Sequence, residues 1–290
     1  MTTSLPHDVI GRLTTMSPEL GPGLVDGSWA ELTPFHEQAG YRAPRVERDL
    51  RYGDDQRNLL DVHTDGTVGG PPRPVMLFVH GGGFVRGDKV IPGTPQYDFV
   101  GAWAVRHGWT GVTMTYRLAP VHTWPAGAQD VASAVAWVRA EIDSFGGDPE
   151  RIVLVGHSAG AVHVASFLAG QGDTSDTDGI RGAALLSGIY ASSAGVAPVY
   201  FGDHPPESTS TLPALLATGV PLLFSVAERD PAPFPAQAAT VVAAWQETHG
   251  TVPNLVYVAG HNHISEIGSL GVDDPALGTA LARFIDRQAG

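Results

Sequence analysis

Gly156-His157-Ser158-Ala159-Gly160 sets a serine between two glycines, the spacing at which a tight turn can lift a hydroxyl clear of the backbone and offer it as a nucleophile. The bare pattern is weak, because glycine and serine are common. Its context is stronger. Apolar residues 152–155 precede it and a helix-like run follows, a strand, turn and helix that would project the serine from the end of a sheet. A serine hydroxyl needs a base, and the base needs an orienting carboxylate. In this setting the chain order is serine, acid, histidine. Glu228-Arg229-Asp230-Pro231 follows the apolar stretch 222–227, and Ala259-Gly260-His261-Asn262-His263 follows 255–258. The order is satisfied, with either acid and either histidine available.

A second glycine cluster, His80-Gly81-Gly82-Gly83-Phe84, directly follows the most apolar run of the chain. Acyl transfer builds a tetrahedral oxyanion that needs fixed N–H donors about 3 Å away, and consecutive glycines let backbone amides come that close. A phosphate loop is the competing reading. It would require a Gly-Lys-Ser/Thr triplet, which is absent, and the third glycine of a G-x-G-x-x-G pattern falls on Arg86. His261 and His263 also suggest a metal, but two histidines two apart lack a third ligand. No metal and no organic cofactor is expected.

The elements that must position these groups alternate. Strands are expected at 46–52, 59–63, 74–80, 111–116, 152–156, 183–186, 222–227 and 255–258. Helices are expected at 97–107, 159–169, 236–248 and 275–288, and around Val131, Val135, Val138 and Ile142, whose spacing marks one face of an amphipathic helix. Strand-helix alternation implies parallel strands with helices on both faces, and such sheets bind ligands beyond the carboxyl ends of their strands. Residues 1–44 are rich in Pro and Gly with little periodicity, and read as an irregular or short-helical arm ahead of a catalytic domain at 45–290.

Composition bounds the function. The chain has 290 residues, 30 acids against 17 bases, and a net charge of −13, which repels phosphate backbones and argues against nucleic-acid binding. Without cysteine there is no thiolate nucleophile or disulfide frame. No basic and apolar leader opens the sequence, and no unbroken apolar run approaches the ~18 residues of a membrane span. A cytoplasmic protein acting on a small molecule, with no membrane partner, is expected, and a homo-oligomer is compatible with it.

Tyr116-Arg117-Leu118-Ala119-Pro120, Trp124-Pro125-Ala126-Gly127-Ala128-Gln129-Asp130 and Gly146-Gly147-Asp148-Pro149-Glu150-Arg151-Ile152, in series with the two glycine motifs, resemble the α/β-hydrolase superfamily. The likeness is to the carboxylesterases related to hormone-sensitive lipase and to the kynurenine formamidase-like esterases. It covers residues 45–290 and implies an α/β-hydrolase fold, with a mostly parallel central sheet flanked by helices and a small N-terminal cap. It further implies Ser158 as nucleophile, Asp230 as acid in the segment from Ala227 to Pro231, and His263 as base in a Gly-x-x-His ending that begins at Gly260. Gly82, Gly83 and Ala159 match the oxyanion donors. Lipase-like members often carry Asp before the nucleophile, whereas His157 stands here, as in many formamidase-like esterases.

A serine esterase for short to medium acyl or compact aryl esters is the expected function. An arylformamidase-type amidase and a non-catalytic ligand receptor on the same scaffold are the rivals. Phe84, Tyr190, Tyr200 and Phe201 are expected to line the substrate pocket, and Trp29, Phe35 and His36 of the arm either roof it or pack against the core.

Overall fold

Along the third strand, apolar side chains serve two cores in alternation. Val75, Leu77 and Val79 enter one, Met76 and Phe78 the other, and all are fully buried. A strand reads as a continuous apolar run when helices cover both of its faces. The computed structural model describes residues 5–67, 69–173, 176–191, 197–272 and 274–290. Its strands are β1 (Arg45–Arg51), β2 (Leu59–Thr64), β3 (Arg73–Val79), β4 (Thr110–Met114), β5 (Gly147–His157), β6 (Ile180–Leu186), β7 (Leu222–Arg229) and β8 (Leu255–Asn262). They form one sheet in the order β1-β2-β4-β3-β5-β6-β7-β8. β2 runs antiparallel to β1 and β4, and every other neighbouring pair is parallel.

The helices are α1 (His7–Thr15), α2 (Pro22–Ala39), α3 (Asp98–Arg106), α4 (Ala126–Glu141), α5 (Ala159–Leu168), the short α6 (Pro198–Phe201), α7 (Pro206–Thr209) and α8 (Leu212–Ala217), then α9 (Pro233–His249), α10 (His263–Gly268) and α11 (Pro275–Ala289). Side chains of α4, α5, α8 and α9 fill the core on one face, and those of α1, α2, α3, α10 and α11 fill the other. Since β3, β5, β7 and β8 are parallel, the loops after them open on one edge of the sheet. That edge receives His80, Ser158, Asp230 and His263.

The expected strands and helices are present, with ends shifted by a few residues. Apart from residues 1–4, which lie outside the described residues, the arm takes the helical of its two expected forms, and α2, at 18 residues, is longer than a short helix. Pro22 sits at its first turn, where a missing N–H costs nothing. Leu24, Ser28, Trp29, Leu32 and His36 are buried along its length at close to helical spacing. Pro34 lies inside the helix, so the glycines and prolines that suggested irregularity were absorbed. Part of the polar stretch 171–179 and part of the loop that runs from Gly188 to Asp203 lie outside the described residues.

Candidate active site

Ser158 stands between β5 and α5 at φ 55° and ψ −121°, a left-handed conformation that costs a non-glycine residue about 1–3 kcal/mol and persists only where its surroundings impose it. The flanking glycines explain how the turn closes. A Cβ on Gly160 would lie 2.0 Å from the Val79 carbonyl oxygen, and one on Gly156 would lie 2.5 Å from the Gly160 carbonyl oxygen. Any side chain at either position would push the helix off the sheet. The Ser158 amide donates to the Leu186 carbonyl at 2.8 Å, which anchors the turn to β6.

His263, the first residue of α10, brings Nε2 to 2.9 Å from Ser158 Oγ. Its Nδ1 lies 2.6 Å from Asp230 Oδ1. The other carboxylate oxygen of Asp230, Oδ2, accepts from the Ala227 amide at 2.7 Å and lies 2.7 Å from Ser187 Oγ. All three side chains are buried, Ser158 at 9 % exposure and His263 at 1 %, and the Phe234 ring packs on the imidazole at 4.3 Å between centroids. A hydroxyl, an imidazole and a carboxylate in that sequence form a proton path from serine oxygen to ring, with the ring's tautomer fixed by the acid.

The glycine loop after β3 lies against the same turn. A Cβ on Gly81 would sit 3.2 Å from Ser158 Cβ. His80 Nδ1 donates to the Gly81 carbonyl at 2.6 Å, and Tyr116 stacks on the His80 ring at 4.4 Å while its hydroxyl donates to the His80 carbonyl. Burial holds His80 neutral, its pKa pushed down to about 3. Gly82 adopts φ 138°, and a Cβ there would meet the Arg86 carbonyl oxygen at 2.0 Å, so only glycine fits. Ala159 opens α5, where the amide N–H has no partner within the helix.

The BD-FAE family matches residues 60–186. Esterase LipC of Mycobacterium tuberculosis is 42% identical over 113 residues, which is 39% of this chain and 27% of LipC. The probable isoprenylcysteine alpha-carbonyl methylesterase ICMEL1 of Arabidopsis thaliana is 34% identical over 138 residues, 47% of this chain and 28% of that protein. The match thus spans less than a third of either relative. Among solved structures, an esterase of Pyrobaculum calidifontis superposes with a TM-score of 0.70 over 99% of this chain and 98% of its own, at 21% identity. A bacterial heroin esterase does so with the same score and the same coverage at 20% identity. The chain has the α/β-hydrolase fold of these esterases.

Within this fold, three of the four residues expected to line a pocket come together. Phe84, itself at φ 70°, stacks on Tyr200 at 4.4 Å and meets Phe201 edge-on at 5.5 Å. Ala159, Val162, Ile189 and Phe234 complete the same apolar cluster. Tyr190 is the exception. Its ring packs edge-on against Phe224 in the main core, and its hydroxyl donates to the Leu185 carbonyl. It follows a strand closely enough to be drawn down with it.

The arm residues do not join the aromatic cluster either. Trp29 packs on Tyr97 and Phe99, and His36 Nε2 donates to the Gly268 carbonyl at the end of α10. They brace the helix that carries His263. Asn262, between the two histidines, caps α10 by accepting from the Ile264 and Ser265 amides, while its own amide donates to the Leu13 carbonyl and to Ser28 Oγ. His261 turns away to Ser265 Oγ and Asp274, and the exposed Glu228 carboxylate accepts from the Gly260 amide.

Two buried groups escaped the sequence reading. Glu266, on α10, lies 2.5 Å from both Ser187 Oγ and Ser225 Oγ; its only sequence signal is a lone carboxylate between two isoleucines. Asp61, His63 and Asp98 also lie close enough together to share one cation. Their carboxylates already face protein cations, however. Arg48 bonds both aspartates at 2.6–2.7 Å, and Lys89 lies 3.1 Å from Asp61.

Proposed function

We propose that this chain is a serine carboxylesterase acting through an acyl-enzyme intermediate. The observation that carries the reading is the unbroken hydrogen-bonded line from Ser158 Oγ through His263 to Asp230. In the proposed reaction His263 Nε2 takes the Ser158 proton as Oγ attacks the ester carbonyl. The amides of Gly82, Gly83 and Ala159 receive the oxyanion, and Asp230 steadies the imidazolium. His263 then gives its proton to the departing alkoxide, leaving an acyl-serine. A water, deprotonated by the same imidazole, attacks the acyl carbonyl and releases the acid with Ser158 restored.

An ester rather than a formamide is favoured by the relatives, which are named as esterases. The enclosed cluster of Phe84, Tyr200, Phe201 and Phe234 favours short to medium acyl chains or compact aryl groups. An apolar pocket gains about 0.8 kcal/mol for each CH₂ it buries and clashes once full. Catalytic efficiency on p-nitrophenyl esters should therefore rise from acetate, peak by about six to eight carbons and fall beyond, and should exceed that on N-formylkynurenine. A profile still climbing at palmitate, or activation by an emulsion interface, would overturn the enclosed pocket. Preference for the formamide would overturn the ester reading.

A further inference from the structure

Behind Asp230, on the side away from His263, lies a second carboxylate that the proposed reaction does not use. Glu266 is fully buried on α10. Its Oε2 lies 2.5 Å from Ser187 Oγ, and the same Ser187 oxygen lies 2.7 Å from Asp230 Oδ2. Ser187 itself is held at φ 44°, a left-handed conformation that places its hydroxyl between the two acids. One hydroxyl carries one proton, so Ser187 can donate to only one of them. With both carboxylates ionised, one short oxygen–oxygen contact would have no hydrogen in it.

A second proton resolves the conflict, and its position follows from the donors. Asp230 faces the Ala227 N–H and His263 Nδ1, groups that favour an anion. Among the described residues, the Glu266 carboxylate has Ser187 and Ser225 as its hydrogen-bond partners, hydroxyls able to accept as well as donate. We propose that Glu266 is a positioning residue that stays protonated and donates to Ser187, so that the Ser187 hydroxyl is committed to Asp230 and the aspartate is locked toward the base. The inference rests on reading Ser158, His263 and Asp230 as the catalytic groups.

The charged and titratable groups facing Glu266 support it. They are Asp230 beyond Ser187, Tyr190 in the core beside it, His263 on its own helix, and His157 from β5, whose Nε2 lies 3.9 Å from Oε2. His157 is no counter-charge. Burial and the neighbouring His263 hold its pKa well below the ordinary value, and its Nε2–H donates to the His263 carbonyl. Burial first, and the Asp230 charge second, raise the Glu266 pKa to about 8. Glu266 is therefore neutral at pH 7 and ionises in the mildly alkaline range. Once ionised it competes with Asp230 for the Ser187 proton and releases the aspartate's lock.

The test compares the full-length wild type with Glu266→Gln, whose carboxamide can donate to Ser187 and accept from Ser225 without ever ionising. Wild-type kcat/KM on p-nitrophenyl acetate should fall about threefold or more through an alkaline limb centred near pH 8. Glu266→Gln should stay within about threefold of wild type at pH 7 and show no such limb. In the resting proteins, the downfield NMR signal of the proton between His263 and Asp230 should shift across the same range in wild type and stay put in the variant. Persistence of the limb or of the shift in Glu266→Gln would overturn the proposal. So would a loss of more than about tenfold at pH 7 in a folded variant. Should the variant fail to fold, the wild-type NMR titration decides alone, and an unmoved signal rejects the idea. Failure of the catalytic reading looks different. A fluorophosphonate would then not label Ser158, whereas a labelled, active enzyme without a Glu266-dependent limb overturns only the role of Glu266.

Discussion

The Ser158 side and the His263 side of the site, the proposed nucleophile and base, are fixed by different means. Ser158 is held by residues close to it in sequence or on adjoining strands: glycines at 156 and 160 that let α5 touch the sheet, and an amide bond to Leu186. His263 rides on a helix of six residues, too short to be stable by itself. What holds that helix is distant. Asn262 reaches the Leu13 carbonyl and Ser28 Oγ, 249 and 234 positions away, His36 holds the Gly268 carbonyl, and Glu266 ties the helix to β6 and β7. Steric exclusion places the serine, whereas hydrogen bonds between remote segments place the base. Steric placement admits almost no variation. Placement by hydrogen bonds can be loosened by degrees.

The largest effects should come from the reacting groups. Ser158→Ala and His263→Ala should each lower kcat on p-nitrophenyl acetate by about three orders of magnitude or more with the fold retained. His261→Ala should keep most of its turnover, since that ring bonds Ser265 and Asp274 instead. Equal losses at the two histidines would erase the distinction between a reacting ring and a structural one.

An intermediate effect should follow from loosening the base side. Asn262→Ala removes the cap of α10 and leaves Ser28 Oγ and the Leu13 carbonyl short of a partner. A lost cap costs about 0.5–2 kcal/mol, and unsatisfied buried groups add about 1–3 kcal/mol. Thermal melting should drop, and kcat should fall by about tenfold at unchanged KM, while fluorophosphonate still finds Ser158. An Asn262→Ala enzyme with unaltered kcat would show that the arm braces the fold without bracing the base.

The effect smallest at neutral pH is graded and reads both sides at once. Burial lowers His36 and His63 to about 4 and His80 and His163 to about 3, and holds His157 well below its ordinary value. Each is neutral when folded and binds a proton when unfolded below about pH 6.5. Their contribution is intact above that pH and is lost as pH falls toward 3–4, at up to about 1.4 kcal/mol per histidine per pH unit. Melting temperature should begin to fall below about pH 6.5, ahead of carboxylate titration. His36→Phe should reduce that slope by one proton's worth. A melting temperature flat from pH 7 to about pH 4.5 would mean that these rings are hydrated.

The same contrast explains what the sequence revealed. Gly156, Ser158 and Gly160, and the glycines after His80, carry their meaning locally, because a turn that excludes side chains must be written in consecutive residues. Alternating apolar residues gave the sheet and most helices for the same reason. The arm was harder. Pro22, Gly23, Gly27 and Pro34 mask an 18-residue helix that is stabilised by tertiary burial and not by propensity. No local pattern distinguishes Tyr190, drawn into the core, from Tyr200, stacked on Phe84. Nothing near Glu266 announces Ser187, just past the end of β6, or Ser225 in β7. Choosing His263 over His261 required the resemblance, since both histidines follow the same apolar run, 255–258.

The grip of Asn262 on Leu13 and Ser28 also has a temporal side. A chain refolding from denaturant can form the β5 turn from neighbouring residues, whereas seating the base requires closing a loop of well over two hundred residues, and such closures come slowly. The serine would then be poised before anything nearby could deprotonate it. Partly assembled chains are chemically silent on this account, and the return of turnover becomes a clock for the final meeting of the first helices with the last strand.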